Sequence, residues 1–322
     1  MVDITLLGTA ATMPTPERFT ASTLLSCQGH SILFDCGEGT QIAARKQHLS
    51  LMKVDIICLT HYHGDHIFGL PGLLQTYGCL NRTEPLYICG PEGLSDALAP
   101  ILALAGPLAF QIKTIECRRS CLPHSIGTDT VICSFRPAEF IAGWPSEAEV
   151  SAFETVHRVA SCGYRFSVSR PGKFDRDRAV NAGIPVRLWG TLQHGETVES
   201  GDGRIYRPED VLGPDRKGLS VVITGDSAPC PGITTAAAGA DLLICDGTYG
   251  SDDNLDQANK YGHCTFTGAA DTAAEAGVNE LWLTHFSQIM EDPEEFLPIA
   301  QNIFADTVCG YDGMGKTLHF RD

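Results

Sequence analysis

Four side chains able to bind a metal lie within six residues: His61, His63, Asp65 and His66 in the run Thr60-His61-Tyr62-His63-Gly64-Asp65-His66. Neutral imidazole suits zinc, iron or manganese, and the carboxylate adds a hard oxygen donor, so an H-x-H-x-D-H turn can serve two adjacent metals. The alternative, a histidine-rich surface loop that binds nothing, fits poorly with the flanks. Val54 to Leu59 is a β-branched, apolar run that reads as a buried strand ending at Thr60. After the cluster, Ile67 to Leu74 turns apolar again, and Pro71 predicts the start of a helix. A dense donor set between two buried elements predicts a metal site.

Other strand ends carry similar groups. Ser220–Ile223 leads to Gly225-Asp226, Leu242–Cys245 ends on Asp246, and Leu281–Thr284 ends on His285. Leu283-Thr284-His285 echoes Leu59-Thr60-His61. Short strands delivering His or Asp from their last residues, with helices between them, describe an α/β protein whose site lies along one sheet edge. Ser22–Ser26 and Ser31–Phe34 read as a hairpin turning at Gln28-Gly29. Asp35 then either caps a helix starting near Ile42 or orients a ligand histidine from behind. Val156 to Phe166 reads as paired strands. A lone strand histidine such as His157 is more often a core residue than a ligand, and it rises above that only because a two-metal site still needs donors.

The chain of 322 residues, 43% hydrophobic and 19% charged, has the composition of an ordinary globular protein. Its start lacks the basic residues and long apolar core of a signal peptide. The longest apolar stretch, Leu94 to Phe110, is interrupted by Asp96, Pro100, Gly106 and Pro107, so no membrane span is expected. Thirteen cysteines without a C-x-x-C pair suggest buried free thiols in a reducing cytoplasm. Cys117 and Cys121 carry little weight as metal ligands. A net charge of −16 excludes a protein that grips nucleic acid with its whole surface. Residues 165–217, however, hold ten of the 23 basic residues against eight acids, a balance of +2, whereas the rest of the chain stands at −18. Rich in charge, Gly and Pro and poor in periodicity, that stretch reads as a protruding functional element.

Taken together, these motifs resemble the ribonuclease Z family of the metallo-β-lactamase superfamily, and the resemblance spans nearly the whole chain. It is carried by Gly8-Thr9 with Pro14 and Arg18, by Phe34-Asp35-Cys36-Gly37-Glu38-Gly39-Thr40-Gln41, and by the histidine turn with Gly69-Leu70-Pro71-Gly72. His157 with Gly163-Tyr164-Arg165, Gly225-Asp226, Gly262-His263-x-Thr265, Leu283–Ser287 and Tyr311-Asp312-Gly313-Met314 complete it. The resemblance implies an αββα four-layer sandwich over residues 1–322, usually dimeric, with two zinc ions per chain (manganese being the alternative) and an inserted RNA-binding arm at 165–217. It implies that His61, His63 and His157 hold one metal, Asp65, His66 and His285 the other, and that Asp226 bridges them. The implied reaction is removal of the 3′ trailer from precursor tRNA by attack of a metal-activated hydroxide. Asp65 would orient or deprotonate the water, and His263, supported by Asp246, would protonate the leaving oxygen. Arg18 and the arm residues Arg176, Arg178 and Arg187 are the candidate RNA contacts. The loop Pro14-Thr15-Pro16-Glu17-Arg18-Phe19 has lost a lysine of the family pattern and gained an acid. Two competing readings follow: a phosphodiesterase acting on a smaller substrate, or a catalytically idle RNA-binding or metal-buffering relative.

Overall fold

The computed structural model describes residues 1–118, 130–201 and 203–321; Cys121 lies outside them. The chain divides into two compact units, one of residues 1–167 and 220–319, the other of residues 168–219 and 320–322.

The larger unit is built on two sheets. β1 (Val2–Gly8), β2 (Ser22–Cys27), β3 (His30–Phe34), β4 (Val54–Cys58), β5 (Leu86–Gly90) and β6 (Ile112–Glu116) enter the first in chain order. β7 (Val131–Phe135), β8 (Ala148–Glu154) and β9 (Cys162–Arg170) enter the second. After the short hairpin of β10 (Val198–Glu199) and β11 (Ile205–Tyr206) in the smaller unit, the second sheet resumes with β12 (Arg216–Ile223), β13 (Leu242–Asp246), β14 (Leu281–Thr284) and β15 (Thr307–Cys309). β16 (Gly315–Leu318) returns to the first. The strand orders are β16-β1-β2-β3-β4-β5-β6 and β15-β14-β13-β12-β9-β8-β7. Each is mixed: β3 through β6 run parallel, as do β12 through β15, while β1–β2–β3 and β7–β8 are antiparallel.

The period of two along each strand assigns the layers. Leu33, Ile57 and Ile88 pack with Leu70, Leu73, Leu74 and Leu98 of the covering helices Leu70–Cys79 and Leu94–Ala105. Phe34, the next residue along β3, points the other way, its ring 5.8 Å from that of Tyr164 on β9. Tyr164, buried between the sheets, donates its hydroxyl hydrogen to the Leu59 carbonyl at 2.8 Å. On the second sheet Val222, Leu243, Cys245 and Leu281 pack against Ile233, Ala236, Phe266, Ala269 and Ala273 of the helices Pro231–Ala237 and Phe266–Ala276. This is a four-layer αββα sandwich, as expected. Parallel strands covered on both faces explain why VDIIC and LLICD read as continuous apolar runs.

The hairpin turn at Gln28 and Gly29 takes positive φ values of 51° and 92°, and the helix expected near Ile42 spans Thr40–Lys46. The reading of Val156–Phe166 as paired strands is corrected. Residues 156–161 form the loop between β8 and β9, and Val156 and Val159 are 53% and 42% exposed. His157 is therefore a loop residue.

The smaller unit has a core of its own. Ala179, Ile184, Leu192, Tyr206, Val211 and Leu212 are buried together, with Phe174, Leu188 and Trp189 against them. The helix Arg176–Asn181 is capped by the Asp175 carboxylate, which accepts from the Arg178 amide, and a second helix spans Val186–Gln193. The compact unit begins at Val168, so Arg165 of the expected 165–217 stretch belongs to the larger one. Among the described residues no helix is long and apolar enough to cross a membrane, and the twelve described cysteines are free.

A small core with its own helices predicts local unfolding. Leu192→Ala, which removes a fully buried side chain, should destabilise this unit by about 2–5 kcal/mol. Amide exchange should accelerate across 174–212 and stay slow in β4 and β13; equal acceleration in both regions would show a single cooperative unit.

Candidate metal centre and its histidine–carboxylate shell

The site forms where the parallel strands end. β4 runs out at Cys58 into the turn bearing His61, His63, Asp65 and His66, and the short helix Gly64–Ile67 fixes the last two. β12 ends three residues before Asp226, β13 ends on Asp246, and β14 ends one residue before His285. Ligands gathering outside the carboxyl ends of parallel strands is the general pattern of such sheets. Gly225 makes the approach of Asp226 feasible, with φ +61° and Thr60 Cβ only 2.6 Å from where its own Cβ would stand.

Asp226 is 3% exposed, and its two oxygens face different histidine sets. Oδ1 lies 3.2 Å from His66 Nε2 and 3.1 Å from His285 Nε2, whereas Oδ2 lies 3.6 Å from His61 Nε2 and 4.0 Å from His157 Nε2. Despite these approaches Oδ1 has no hydrogen-bond partner. Donor atoms gather in three groups, each lying within 4.8 Å: His61, His63, His157 and Asp226; Asp65, His66 and His285; and Asp226, Asp246, His263 and His285.

The outer ring nitrogens are held by acceptors, and the tautomers are assigned from those partners. His66 Nδ1 donates to Asp35 Oδ2 at 2.8 Å, and His157 Nδ1 donates to the Gly262 carbonyl at 2.8 Å. Thr248 Oγ1 donates to Asp246 Oδ1 at 2.7 Å and so accepts from His285 Nδ1 at 3.0 Å. The Nε2 atoms of these three rings consequently point inward, His66 and His285 facing each other at 3.3 Å. Histidines oriented from behind in this way are characteristic of metal ligands. Inward nitrogen lone pairs around an orphaned carboxylate oxygen fit a divalent cation.

The electrostatics carry the same demand. Burial alone lowers the His66 pKa, but the charges of Asp226 and Asp35 override it and push the group well above its ordinary value. Burial, reinforced by neighbouring imidazoles, holds His61, His63 and His157 below theirs. Burial works to raise Asp226 and Asp65, yet the surrounding histidines, His285 foremost, hold both carboxylates ionised. The anionic centre requires positive charge, supplied either by a proton on His66 or by metal.

Asp35 resolves the choice left open by the sequence. The helix that follows is entered through Gly39, and Asp35 instead accepts from Thr60 N, Thr60 Oγ1 and His66 Nδ1, each at 2.8 Å. Its φ of 57°, like that of His285 (62°), lies in the left-handed region. So does that of Thr12 (67°), whose amide donates to Asp65 Oδ2 at 2.7 Å.

His263 sits beside the cluster, its ring stacked on His285 at 5.4 Å, with Nδ1 donating to Asp246 Oδ2 at 2.8 Å. Burial works to lower its pKa, but the Asp246 charge and hydrogen bond prevail and set it at about 9. Asp246 is itself held by the amides of Ser227 and Thr248. A cavity of about 500 Å³ opens over His63, Asp65, Asp226, His263 and His285.

The other expected residues fall elsewhere. Arg18 does not line this cavity; it donates to the Glu291 carbonyl at 2.7 Å and lies over the Phe286 ring. Arg176, Arg178 and Arg187 are exposed on the smaller unit. Two residues of the site went unread in the sequence. Arg158 lines the cavity with its guanidinium over Tyr261, and adjacency to His157 was its only signal. Thr248 joins Asp246 to His285, and its position two residues after a strand-end Asp, an Asx-turn spacing, was the available clue.

The sequence pattern of the metallo-beta-lactamase superfamily matches residues 15–132. A ribonuclease Z of Agathobacter rectalis is 42% identical over 320 residues, covering 99% of both chains. The chain belongs to the ribonuclease Z family. Another ribonuclease Z, from Alkaliphilus oremlandii, is 39% identical across the full length of both proteins. The crystal structure of the human short-form tRNase Z covers 99% of this chain with a TM-score of 0.66 at 26% identity. This ribonuclease Z family member is thus a hydrolase of the metallo-β-lactamase fold with a divalent-metal site.

The carboxylate behind His66 predicts a measurable effect on metal affinity. Asp35→Ala should weaken binding roughly 10- to 100-fold in a chelator-competition titration, the cost usual for losing such a support. Unchanged affinity would leave Asp35 a purely structural residue.

Proposed function

We propose that this chain is a zinc-dependent endoribonuclease that removes 3′ trailers from precursor tRNA, holding two zinc ions. The observation that carries the reading is the division of Asp226 between two histidine sets, with the protonatable His263–Asp246 pair beside them. His61, His63 and His157 would hold one ion, Asp65, His66 and His285 the other, and Asp226 would bridge. When bound, two such ions supply Lewis-acid charge to the phosphoryl oxygens and activate water.

The protein's own groups do the rest. Asp65 Oδ2 accepts from the Thr12 amide at 2.7 Å and faces His285 Nε2 at 3.3 Å, and the carboxylate would orient the attacking water and accept its proton. His263, kept protonated to about pH 9 by Asp246, donates from Nε2 to the departing 3′ oxygen. The exposed Arg176, Arg178 and Arg187 are the candidate cationic contacts for RNA phosphates. Support for the RNA reading comes from curated relatives named ribonuclease Z that match over the whole chain. The acidic remainder of the protein and the engaged Arg18 favour a smaller phosphodiester as the competing substrate.

Elemental analysis after zinc saturation should give about two metals per chain, since seven donors exceed the needs of one tetrahedral ion; at most one would remove the bridged arrangement. His263→Ala should slow precursor tRNA cleavage by about 10²- to 10⁴-fold and spare an aryl phosphodiester, whose leaving group needs little protonation. Because Asp246 raises the His263 pKa, the alkaline limb of kcat should move to lower pH in Asp246→Asn; a limb that stays in place would dissociate it from His263. Replacing residues 168–215 with a Gly-Ser link should preserve the metals and aryl diester hydrolysis and abolish most cleavage of precursor tRNA, chiefly by raising KM. Intact tRNA cleavage after that deletion, or none by the full chain, would favour the smaller substrate.

A further inference from the structure

Phe68 follows the metal-binding turn directly, yet it is 69% exposed and lines the catalytic cavity beside His63, Gly64 and Asp65. A single exposed Phe is ordinary on a protein surface. The backbone that carries this one is fixed and its ring rests on the metal-binding turn. Its amide donates to the Gly64 carbonyl at 2.8 Å, and the next amide, Gly69, donates to the Cys36 carbonyl at 2.9 Å. Its ring lies so close over Gly64 that a Cβ there would come within 2.3 Å of Phe68 Cε2. The glycine between His63 and Asp65 therefore makes room for an aromatic ring, not only for a turn. Among the described residues no aromatic side chain stacks on Phe68, and with its ring resting on Gly64 and 69% exposed, apolar ring surface is open to the cavity. Met13, 54% exposed, adds a second apolar surface to the same cavity, and Arg158 adds a cation.

An exposed π-face next to candidate metal ligands has little use for a phosphate and fits a flat heteroaromatic ring. We propose that Phe68 is the stacking platform for the nucleobase of one nucleotide flanking the scissile phosphate, an inference that rests on the endoribonuclease reading above. Phe68 holds the strand so that the phosphate beside that base lies over Asp65 and Asp226. Stacking of this kind tolerates any base, because every base offers a π-face. The platform thus fixes where the strand is cut without reading its sequence.

The test uses metal-loaded, full-length protein and precursor tRNA carrying either natural nucleotides or an abasic residue immediately 5′ or 3′ of the cut. With wild-type protein, one abasic position should reduce kcat/KM roughly 5- to 150-fold, the range that one base on an aromatic ring spans. Phe68→Ala and Phe68→Leu should show the same loss on natural RNA, mainly in KM, and no further loss on the abasic RNA. Phe68→Trp should restore cleavage, and relative to the wild-type protein, whose Trp144, Trp189 and Trp282 set the baseline, it should show additional fluorescence quenching by natural RNA but not by the abasic form. Metal content and melting temperature report whether each variant is intact. Independent, multiplying losses from the variant and the abasic site would overturn the proposal, as would full activity of Phe68→Leu or an insensitive wild-type enzyme. Failure of the wild-type protein to cut natural precursor tRNA would sink the endoribonuclease reading instead, and the quenching by bound, uncut RNA that Phe68→Trp adds to the wild-type signal would still decide the role of Phe68.

Discussion

A buried carboxylate with one oxygen left without a hydrogen-bond donor is a costly thing for a fold to keep, and Asp226 is such a group. Its charge is balanced by imidazoles that approach from two sides, and those imidazoles come from three separate stretches of chain. The sandwich can be understood as the scaffold that makes this convergence possible. β3, β4, β12, β13 and β14, parallel strands of both sheets, stop at the site, and their last or next few residues supply Asp35, the histidine turn, Asp226, Asp246 and His285. The charges of Asp226 and Asp35 push His66 well above its ordinary pKa, so folding the chain also builds a place for positive charge.

Around that centre the structure spends its rarer features on orientation. Asp35, Thr248 and the Gly262 carbonyl each take the outer nitrogen of a different histidine, which fixes where the inner nitrogen points. Thr248 serves two residues, donating to Asp246 and accepting from His285, so the group that sets the His263 pKa also bears on a ring at the metal centre. The two halves of the proposed chemistry, metal and acid, are therefore joined through one hydroxyl.

Much of this was legible in the sequence because donor identity and strand-end position are local properties. The H-x-H-x-D-H turn, Asp226, Asp246 and His285 all follow apolar runs whose patterning shows where each strand stops. His157 was placed on the wrong kind of element because Val156 and Val159 imitate a strand, although both are exposed. The true strand before it, Ala148–Glu154, alternates Glu149 and Ser151 with buried Val150 and Ala152 and so reads as polar. The charge of residues 165–217 was visible, but their separate core was not, because Ala179, Ile184 and Leu192 share no simple period. Thr248 and Arg158 owe their importance to contacts made only after folding.

The left-handed backbone at Asp35 and His285 bears on how the protein can change. Each such residue costs on the order of 1–3 kcal/mol, against a total stability of only about 5–15 kcal/mol for a typical domain. Glycine would relieve the strain at either position, but it would also remove the carboxylate behind His66 or the imidazole itself. Relieving strained backbone, a usual route to a sturdier protein, is closed at these two positions, although Thr12, Gln28, His48 and Asn81 also take positive φ. Stability and activity are in direct opposition at these two positions, and any gain in thermal endurance has to be found elsewhere in the sandwich.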